Sequence, residues 1–271
     1  MYLGISYAAA LVFTSPTNFI SINKPENVQF EEVSFETSDS VTIRGWYFAK
    51  ENFNKCIILL HGFKANKMEP LPRVQMFLEN GFNVLIYDAR GHGESEAALN
   101  SIGFYEQEDL TAAVNFINDK NINNIYCDGI SQGGATIVYA LANGKLKNVK
   151  AVILESVYDD LHKAIDNRFK KYTLLPADVA GYFMVKFAED RLDISVSQMK
   201  PYESIKKINI PVLIISGTDD SNTKVEDTDH LFENANSPKE LVMFEGAGHE
   251  DLYKFNQELY KKSLISFLNN Y

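Results

Sequence analysis

Residues 123–135 of the chain read Asn-Asn-Ile-Tyr-Cys-Asp-Gly-Ile-Ser-Gln-Gly-Gly-Ala. The apolar run at 125–127 predicts a buried strand, and a helical stretch follows the glycines directly. Between them lies a G-x-S-x-G pattern that runs from Gly129 to Gly133 around Ser131. Strand, tight turn and helix are the context in which this pattern presents a reactive serine. Larger side chains two positions before and after the serine would collide, so glycines fit there on steric grounds.

The composition limits the class of protein. The chain has 271 residues, of which 45% are hydrophobic and 23% are charged. This is enough for one sizeable core, and α/β folds of this length are often one domain. The formal net charge is −10, from 26 basic and 36 acidic residues, and no basic block stands out to neutralise phosphates. We therefore expect no nucleic-acid partner.

Cysteines and histidines give no sign of a metal or a cofactor. Cys56 and Cys127 both lie in apolar runs and lack C-x-x-C spacing, which favours two buried free thiols. A bridge between them on neighbouring strands is the alternative. The five histidines lack metal-ligand spacing, and no G-x-x-x-x-G-K-[ST] phosphate loop is present. We expect no cofactor.

The N-terminal segment is apolar over residues 1–13. A membrane-spanning helix needs roughly 20 residues, and no basic stretch of the kind that begins a signal peptide precedes the segment. A shortened membrane anchor, an interfacial helix and a helix packed on the domain all remain open. We expect a cytoplasmic protein, with peripheral membrane contact through residues 1–13 as the alternative.

The hydrophobic pattern predicts an α/β architecture. Residues 27–37 and 41–48 alternate apolar and polar, which predicts an antiparallel hairpin at a sheet edge. Later strands are continuously apolar, as in strands covered on both faces, and helical stretches separate them. These strands cover 56–60, 83–88, 149–155, 211–215 and 240–244, with helices near 69–80, 105–119 and 251–269. The alternation predicts a mostly parallel eight-stranded sheet with helices on both faces.

The interval 156–207 interrupts this alternation, because it is helical in spacing and contains no clear strand. We interpret it as an inserted helical cap within a domain that spans 27–271, preceded by an apolar segment and linker at 1–26. Its aromatic side chains pack the cap onto the core, and a few are candidates to line a substrate pocket. They are Tyr158, Phe169, Tyr172, Tyr182, Phe183 and Phe187.

Ser131 is the first candidate for chemistry, because function in such sheets gathers beyond the carboxyl ends of the strands. A serine hydroxyl is a poor nucleophile unless a base lies within hydrogen-bond reach and a carboxylate holds that base. His249 is the predicted base, since it follows the last strand in a Gly-Ala-Gly-His loop that can return over the sheet. Asp219 and Asp220 follow the preceding strand and are alternative carboxylates.

The other four histidines are predicted to have no catalytic role. His61 precedes a glycine at a strand end, where a backbone role fits better. His92 lies in an Arg-Gly-His-Gly loop and is interpreted as structural. His162 and His230 fall in helical stretches that we expect to be solvated.

Five motifs follow one another along residues 27–270: His-Gly after a strand, Asp-x-Arg-Gly-His-Gly-x-Ser, G-x-S-x-G-G, G-x-x-D and Gly-x-Gly-His. In this order the chain resembles the α/β-hydrolase superfamily, in the esterase and serine-aminopeptidase-like branch with a small helical cap. The resemblance places the triad acid at the end of G-x-x-D, which is Asp220. The chain departs from the family at Ser221, where proline is frequent, and at Asp128, where a small or apolar residue is usual. A buried Asp128 would need polar partners.

The resemblance implies an α/β-hydrolase fold with an oxyanion hole formed by the backbone N–H groups of Phe63 and Gln132. It also implies that Ser131, Asp220 and His249 cleave carboxylic esters of short to medium acyl chain through an acyl-enzyme intermediate. The expected partner is therefore a small-molecule ester or acyl substrate. Acyl-peptides, thioesters and lipid acyl groups remain open because the same triad serves all of them, as does a slow-turnover binding or sensing protein on this fold.

Overall fold

The computed structural model describes residues 2–18, 23–26, 28–172 and 177–271, without the side chains of residues 2 and 168–180. Within these residues, eight strands form one sheet. The strands are β1 (Glu31–Glu36), β2 (Thr42–Phe48), β3 (Lys55–Leu60), β4 (Asn83–Asp88), β5 (Asn124–Ile130), β6 (Val149–Glu155), β7 (Val212–Gly217) and β8 (Lys239–Phe244).

The strand order across the sheet is β1-β2-β4-β3-β5-β6-β7-β8. The strand β2 runs antiparallel to β1 and β4, whereas the remaining neighbours are parallel. The predicted mostly parallel eight-stranded sheet, with its hairpin at one edge, is therefore confirmed. The carboxyl ends of the parallel strands meet at one edge, which is where such folds gather their function.

Helices connect the strands and cover both faces of the sheet. They are α1 (Tyr2–Thr14), α2 (Val74–Glu79), α3 (Glu106–Asp119), α4 (Gln132–Ala142), α5 (Leu161–Tyr172), α6 (Ala177–Leu192), α7 (Pro201–Ser204), α8 (Val225–Asn234), α9 (Leu252–Phe255) and α10 (Gln257–Asn270). The helix predicted over 251–269 is interrupted at Asn256, which adopts an extended φ of −149°. Its side chain accepts a hydrogen bond from the N–H of Leu259, so Asn256 caps a new helix instead of continuing the old one.

Two apolar clusters lie on opposite faces of the sheet. Along β3, Ile58 belongs to one cluster, and its neighbours Ile57 and Leu59 belong to the other, as the alternation of a strand requires. Cys56 and Cys127 are both buried in the first cluster and are both free thiols. The prediction of free thiols is therefore confirmed.

The N-terminal helix α1 packs against α6, which lies in the interval 156–207 that we interpret as a cap. Its buried residues Ser6, Ala10 and Thr14 recur every four positions, so they share one face of the helix. Of the three arrangements that the sequence left open, the helix packed on the domain is the one observed. None of the helices in the described ranges is both long enough and apolar enough to cross a bilayer. The cytoplasmic location, the contact of residues 1–13 with a membrane surface and the boundary at residue 26 stay predictions.

Two buried histidines link the loops that follow β3 and β4. His61 Nδ1 donates to the Gly62 carbonyl at 2.8 Å, and its Nε2 accepts from the N–H of Ala89 at 3.0 Å. His92 Nδ1 donates to a backbone carbonyl at 2.8 Å, and its Nε2 accepts from the Asn100 amide at 3.0 Å. Both rings therefore serve as neutral structural links, which agrees with the roles predicted for them.

We expect acid to destabilise the fold through His92. Burial, together with the neighbouring His61, lowers the pKa of His92 to about 4, whereas an unfolded histidine titrates at about 6.5. Between these values the unfolded state binds more protons, so the stabilisation is complete above the unfolded pKa and is lost as pH falls toward the folded one. Between pH 7 and pH 5, the free energy of unfolding in urea should fall by about 2 kcal/mol more in wild type than in His92→Asn. An equal fall in both proteins would contradict this.

Candidate active site

Ser131 occupies a strained turn between β5 and α4. Its φ is 50° and its ψ is −105°, a conformation that non-glycine residues rarely adopt. A Cβ added at Gly129 would lie 2.5 Å from the carbonyl carbon of Gly133, and one added at Gly133 would lie 2.7 Å from Leu60 Cβ. The backbone therefore leaves room only for glycine at both positions. The N–H of Ser131 donates to the Glu155 carbonyl at 2.7 Å, which joins the turn to β6.

Asp220 and His249 meet beyond the ends of β7 and β8. His249 Nδ1 lies 2.7 Å from Asp220 Oδ2, and the N–H groups of Asn222 and Thr223 each donate to Asp220 Oδ1 at 2.8 Å. Burial acts to raise the pKa of Asp220, but the hydrogen bond and charge of His249 and the two backbone donors hold it below its usual range. Asp219, the alternative acid, is instead exposed.

A polar cleft of about 230 Å³ contains both Ser131 and His249. Phe63 and Gly62 form one part of its wall. Charged side chains form another part: Glu69, Arg73, Glu250 and Asp251. The cleft therefore surrounds the serine and the histidine with groups suited to a polar ligand.

A smaller cavity of about 30 Å³ touches Ser131 as well. It also touches Gln132, and the rest of its wall is aromatic or aliphatic: Phe13, Phe63, Ile102, Tyr158, Leu161 and Ile165. Ser131 thus lies between a polar cleft and a small apolar cavity. Such an arrangement separates the two halves of an amphiphilic ligand.

The two residues predicted to supply the oxyanion donors line the apolar cavity together with Ser131. Gln132 is the first residue of α4, where the backbone N–H groups have no partner within the helix and the helix dipole is positive. Phe63 follows β3 and lines both cavities. The N–H of Gly62 donates to Glu69 Oε2 at 2.6 Å, which fixes the loop that carries Phe63. The assignment of these two donors stays a prediction.

A buried charged network adjoins the turn. Arg73 Nη2 donates to Glu155 Oε2 at 3.2 Å and to Asp251 Oδ1 at 3.1 Å. Arg73 Nε donates to the Tyr260 hydroxyl at 2.9 Å. That hydroxyl lies 3.1 Å from Asp128 Oδ2 and 2.5 Å from Glu155 Oε1. Tyr260 is therefore the polar partner that a buried Asp128 was predicted to need.

Charge in this network is balanced by protonation as well as by pairing. Burial raises the pKa of the Asp128 carboxyl, and the nearby Glu155 raises it further, so the neutral form of Asp128 is favoured. Burial acts to lower the pKa of Arg73, but Glu155 and the other acidic partners outweigh it, and the guanidinium stays charged. One cation therefore faces Glu155 and Asp251 while Asp128 adds little negative charge.

Arg73 and Glu155 belong to the surroundings of the site although no motif in the sequence points to them. The only signal was a charged residue at the end of an apolar strand, since Glu155 closes β6. Arg73 lies 82 positions earlier in the chain, on the 3₁₀ helix Leu71–Arg73. A contact over such a distance leaves no local pattern.

His162 and His230, which were predicted to have no catalytic role, line neither of the two cavities. His162 is exposed, and His230 Nδ1 lies 2.8 Å from Asp159 Oδ2. Of the cap aromatics, Tyr158 lines the apolar cavity, whereas the side chains of Phe169 and Tyr172 lie outside the described ones. In the described part of the chain, no group of three or more His, Cys, Asp or Glu side chains is placed to hold a metal ion.

We expect Arg73→Leu to destabilise the protein by about 3–5 kcal/mol, because the substitution leaves the buried Glu155 carboxylate without its cation. The matched control is Arg44→Leu, which removes an exposed arginine and should change the free energy of unfolding by less than about 0.5 kcal/mol. Urea unfolding monitored by circular dichroism measures both. Equal stability of the two variants would show that the network contributes little.

The comparisons with known proteins agree with one another. A family model described as alpha/beta hydrolase fold matches residues 55–199. The Bacillus subtilis (strain 168) protein called "Uncharacterized protein YqkD" is 29% identical over 287 residues, covering 99% of this chain and 92% of that protein. The "Bifunctional esterase/perhydrolase DCH" of Acinetobacter calcoaceticus is 24% identical over 256 residues, covering 79% of this chain and 91% of that protein.

Among solved structures, the Pyrococcus furiosus esterase Pf2001 superimposes with a TM-score of 0.79. The two chains are 23% identical, and the match covers 96% of this chain and 98% of that one. At this level of identity the likeness establishes the shared fold.

Proposed function

Because this chain belongs to the alpha/beta hydrolase fold family, we propose that it is a serine hydrolase that cleaves carboxylic esters of short to medium acyl chain. The observation that carries the proposal is the position of Ser131. It lies on a strained turn between a polar cleft shared with His249 and a small apolar cavity. Nδ1 of His249 in turn lies 2.7 Å from the buried carboxylate of Asp220.

In the acylation step, Ser131 Oγ attacks the carbonyl carbon of the ester. Because Asp220 occupies Nδ1 of His249, Nε2 is the ring nitrogen left to accept the serine proton. The negative charge that develops on the carbonyl oxygen is stabilised by the N–H groups of Phe63 and Gln132, by typically ~3–4 kcal/mol per donor. The imidazolium then gives its proton to the departing alcohol, which leaves an acyl group on Ser131.

In the deacylation step, a water molecule loses a proton to His249 and attacks the acyl carbon. The same two N–H groups stabilise the second oxyanion. The bond to Ser131 Oγ breaks, the serine recovers its proton from His249, and the carboxylic acid leaves. Asp220 keeps the imidazole oriented and stabilises its charged form throughout, and its lowered pKa keeps the carboxylate ionised near neutral pH.

The sizes of the two cavities support a substrate with unequal halves. The apolar cavity holds about 30 Å³, which suits a short acyl group and favours the lower end of the proposed range. The polar cleft of about 230 Å³ suits a larger alcohol that carries polar groups. Thioesters, acyl-peptides and lipid acyl groups would use the same steps, and a slow-turnover sensor would stop at the acyl-enzyme.

The first test is hydrolysis of a p-nitrophenyl ester series from acetate to palmitate. We expect wild type to be most active between acetate and butyrate, and we expect Ser131→Ala to lose on the order of 10⁶ in kcat. Ser38→Ala, which removes an exposed serine hydroxyl, is the matched control. Turnover by wild type no faster than by Ser131→Ala on every ester would rule out a simple esterase. Covalent labelling of Ser131 without turnover would then favour the sensor.

The second test distinguishes the two adjacent aspartates. Asp220→Asn should lower kcat about 10⁴-fold, because the imidazole loses the carboxylate that orients and stabilises it. Asp219→Asn changes an exposed carboxylate beside it and should retain activity near that of wild type. The opposite pair of results would make Asp219 the acid.

A further inference from the structure

The N-terminal helix reaches the proposed acyl pocket. The ring of Phe13, one residue before the end of α1, stacks on Phe63 with ring centroids 5.4 Å apart and planes 17° apart. Phe13 also lines the apolar cavity that touches Ser131. A segment that lies outside the sheet and the cap therefore provides part of the wall next to the proposed nucleophile.

A second apolar cavity of about 20 Å³ lies behind the first. Four side chains line both cavities and so form the partition between them: Phe13, Ile102, Leu161 and Ile165. Beyond this partition, the second cavity runs between Ala10 of α1 and residues such as Met184 and Ala188 of α6. The space that continues from Ser131 therefore follows the seam between α1 and the cap.

Contacts in the middle of α1 and just after its end fix the position of the helix. In the middle, the ring of Tyr7 contacts Phe187 of α6 edge to face, with centroids 5.3 Å apart. Just after its end, the N–H of Thr17 donates to the Gly91 carbonyl at 2.6 Å, and the Asn18 amide donates to the Ser95 carbonyl at 2.7 Å. A wall held in this way can select ligands by length.

We propose that Phe13 closes the acyl pocket, so that this one side chain from α1 sets the longest acyl chain accepted. The inference rests on the proposed ester hydrolysis. Among the partition residues, Leu161 is almost fully buried in the cap and Ile102 has a φ of 55° in a turn. Phe13 is only partly buried, so its ring can be removed with the least disturbance to the fold. Without the ring, the two cavities join into one channel.

The test compares Phe13→Ala with wild type on p-nitrophenyl esters from acetate to laurate. Each methylene newly buried should raise kcat/KM by about fourfold. The kcat/KM ratio of hexanoate to butyrate should therefore rise at least about tenfold, and the optimum should move to longer chains. The matched control is Val12→Ala, whose side chain is exposed on the same helix and should leave the profile unchanged. A folded Phe13→Ala with the wild-type profile would overturn the inference.

Two further measurements keep the test decisive. Phe13→Trp should shorten the accepted chain, so it tests the same idea if Phe13→Ala does not fold; a wild-type profile in Phe13→Trp would then overturn the inference. Labelling of Ser131 by alkyl fluorophosphonates of increasing length probes the pocket without turnover. If wild type hydrolyses no ester but the labelling optimum lengthens in Phe13→Ala, the proposed function fails and the inference stands. If wild type neither hydrolyses any ester nor is labelled at any length, both are overturned.

Discussion

The strained backbone at Ser131 is the constraint on which the rest of the site depends. A conformation of this kind costs of order 1–3 kcal/mol and persists only where the surroundings enforce it. Glu155 enforces it twice, because its carbonyl accepts the Ser131 N–H while its carboxylate binds Arg73 and Tyr260. The side-chain network therefore holds the same strand end to which the serine is attached. Arg73 precedes α2 and Tyr260 lies in α10, so distant parts of the chain support one turn.

Desolvation explains why the network around Glu155 combines ion pairs to Arg73 with a carboxyl group of raised pKa at Asp128. A buried carboxylate without a cation is costly, and three acidic side chains surround the single guanidinium of Arg73. The raised pKa of Asp128 reduces the negative charge, and the Tyr260 hydroxyl connects that carboxyl to Glu155. Arg73 and Asp251 line the cleft, whereas Asp128, Glu155 and Tyr260 are buried behind them, so the network extends from the cleft into the protein interior.

How much the sequence could predict depends on how far apart the interacting residues lie. The glycines of the G-x-S-x-G pattern, the strand pattern and the position of His249 after the last strand follow local rules. The structure places them as expected. Asp220 needed the family resemblance, since its neighbour Asp219 satisfies the same local rule. The pairing of Arg73 with Glu155 has no local signature. The packing position of α1 could not be predicted either, because a helix that is apolar on all sides does not reveal which face will be buried.

The packing of α1 against α6 also affects the order in which the protein folds during synthesis. Ala177, the first residue of its partner helix α6, comes 163 residues after Thr14, the last residue of α1. At 5–20 residues per second, a ribosome needs on the order of 10–30 s to cover that distance. During this time the apolar helix has left the ribosome but lacks its native neighbour, and contacts that are so distant in sequence form late. Although α1 is synthesised well before α6, it is thus among the last of these elements to dock, and chaperones have this interval in which to bind the helix that carries Phe13.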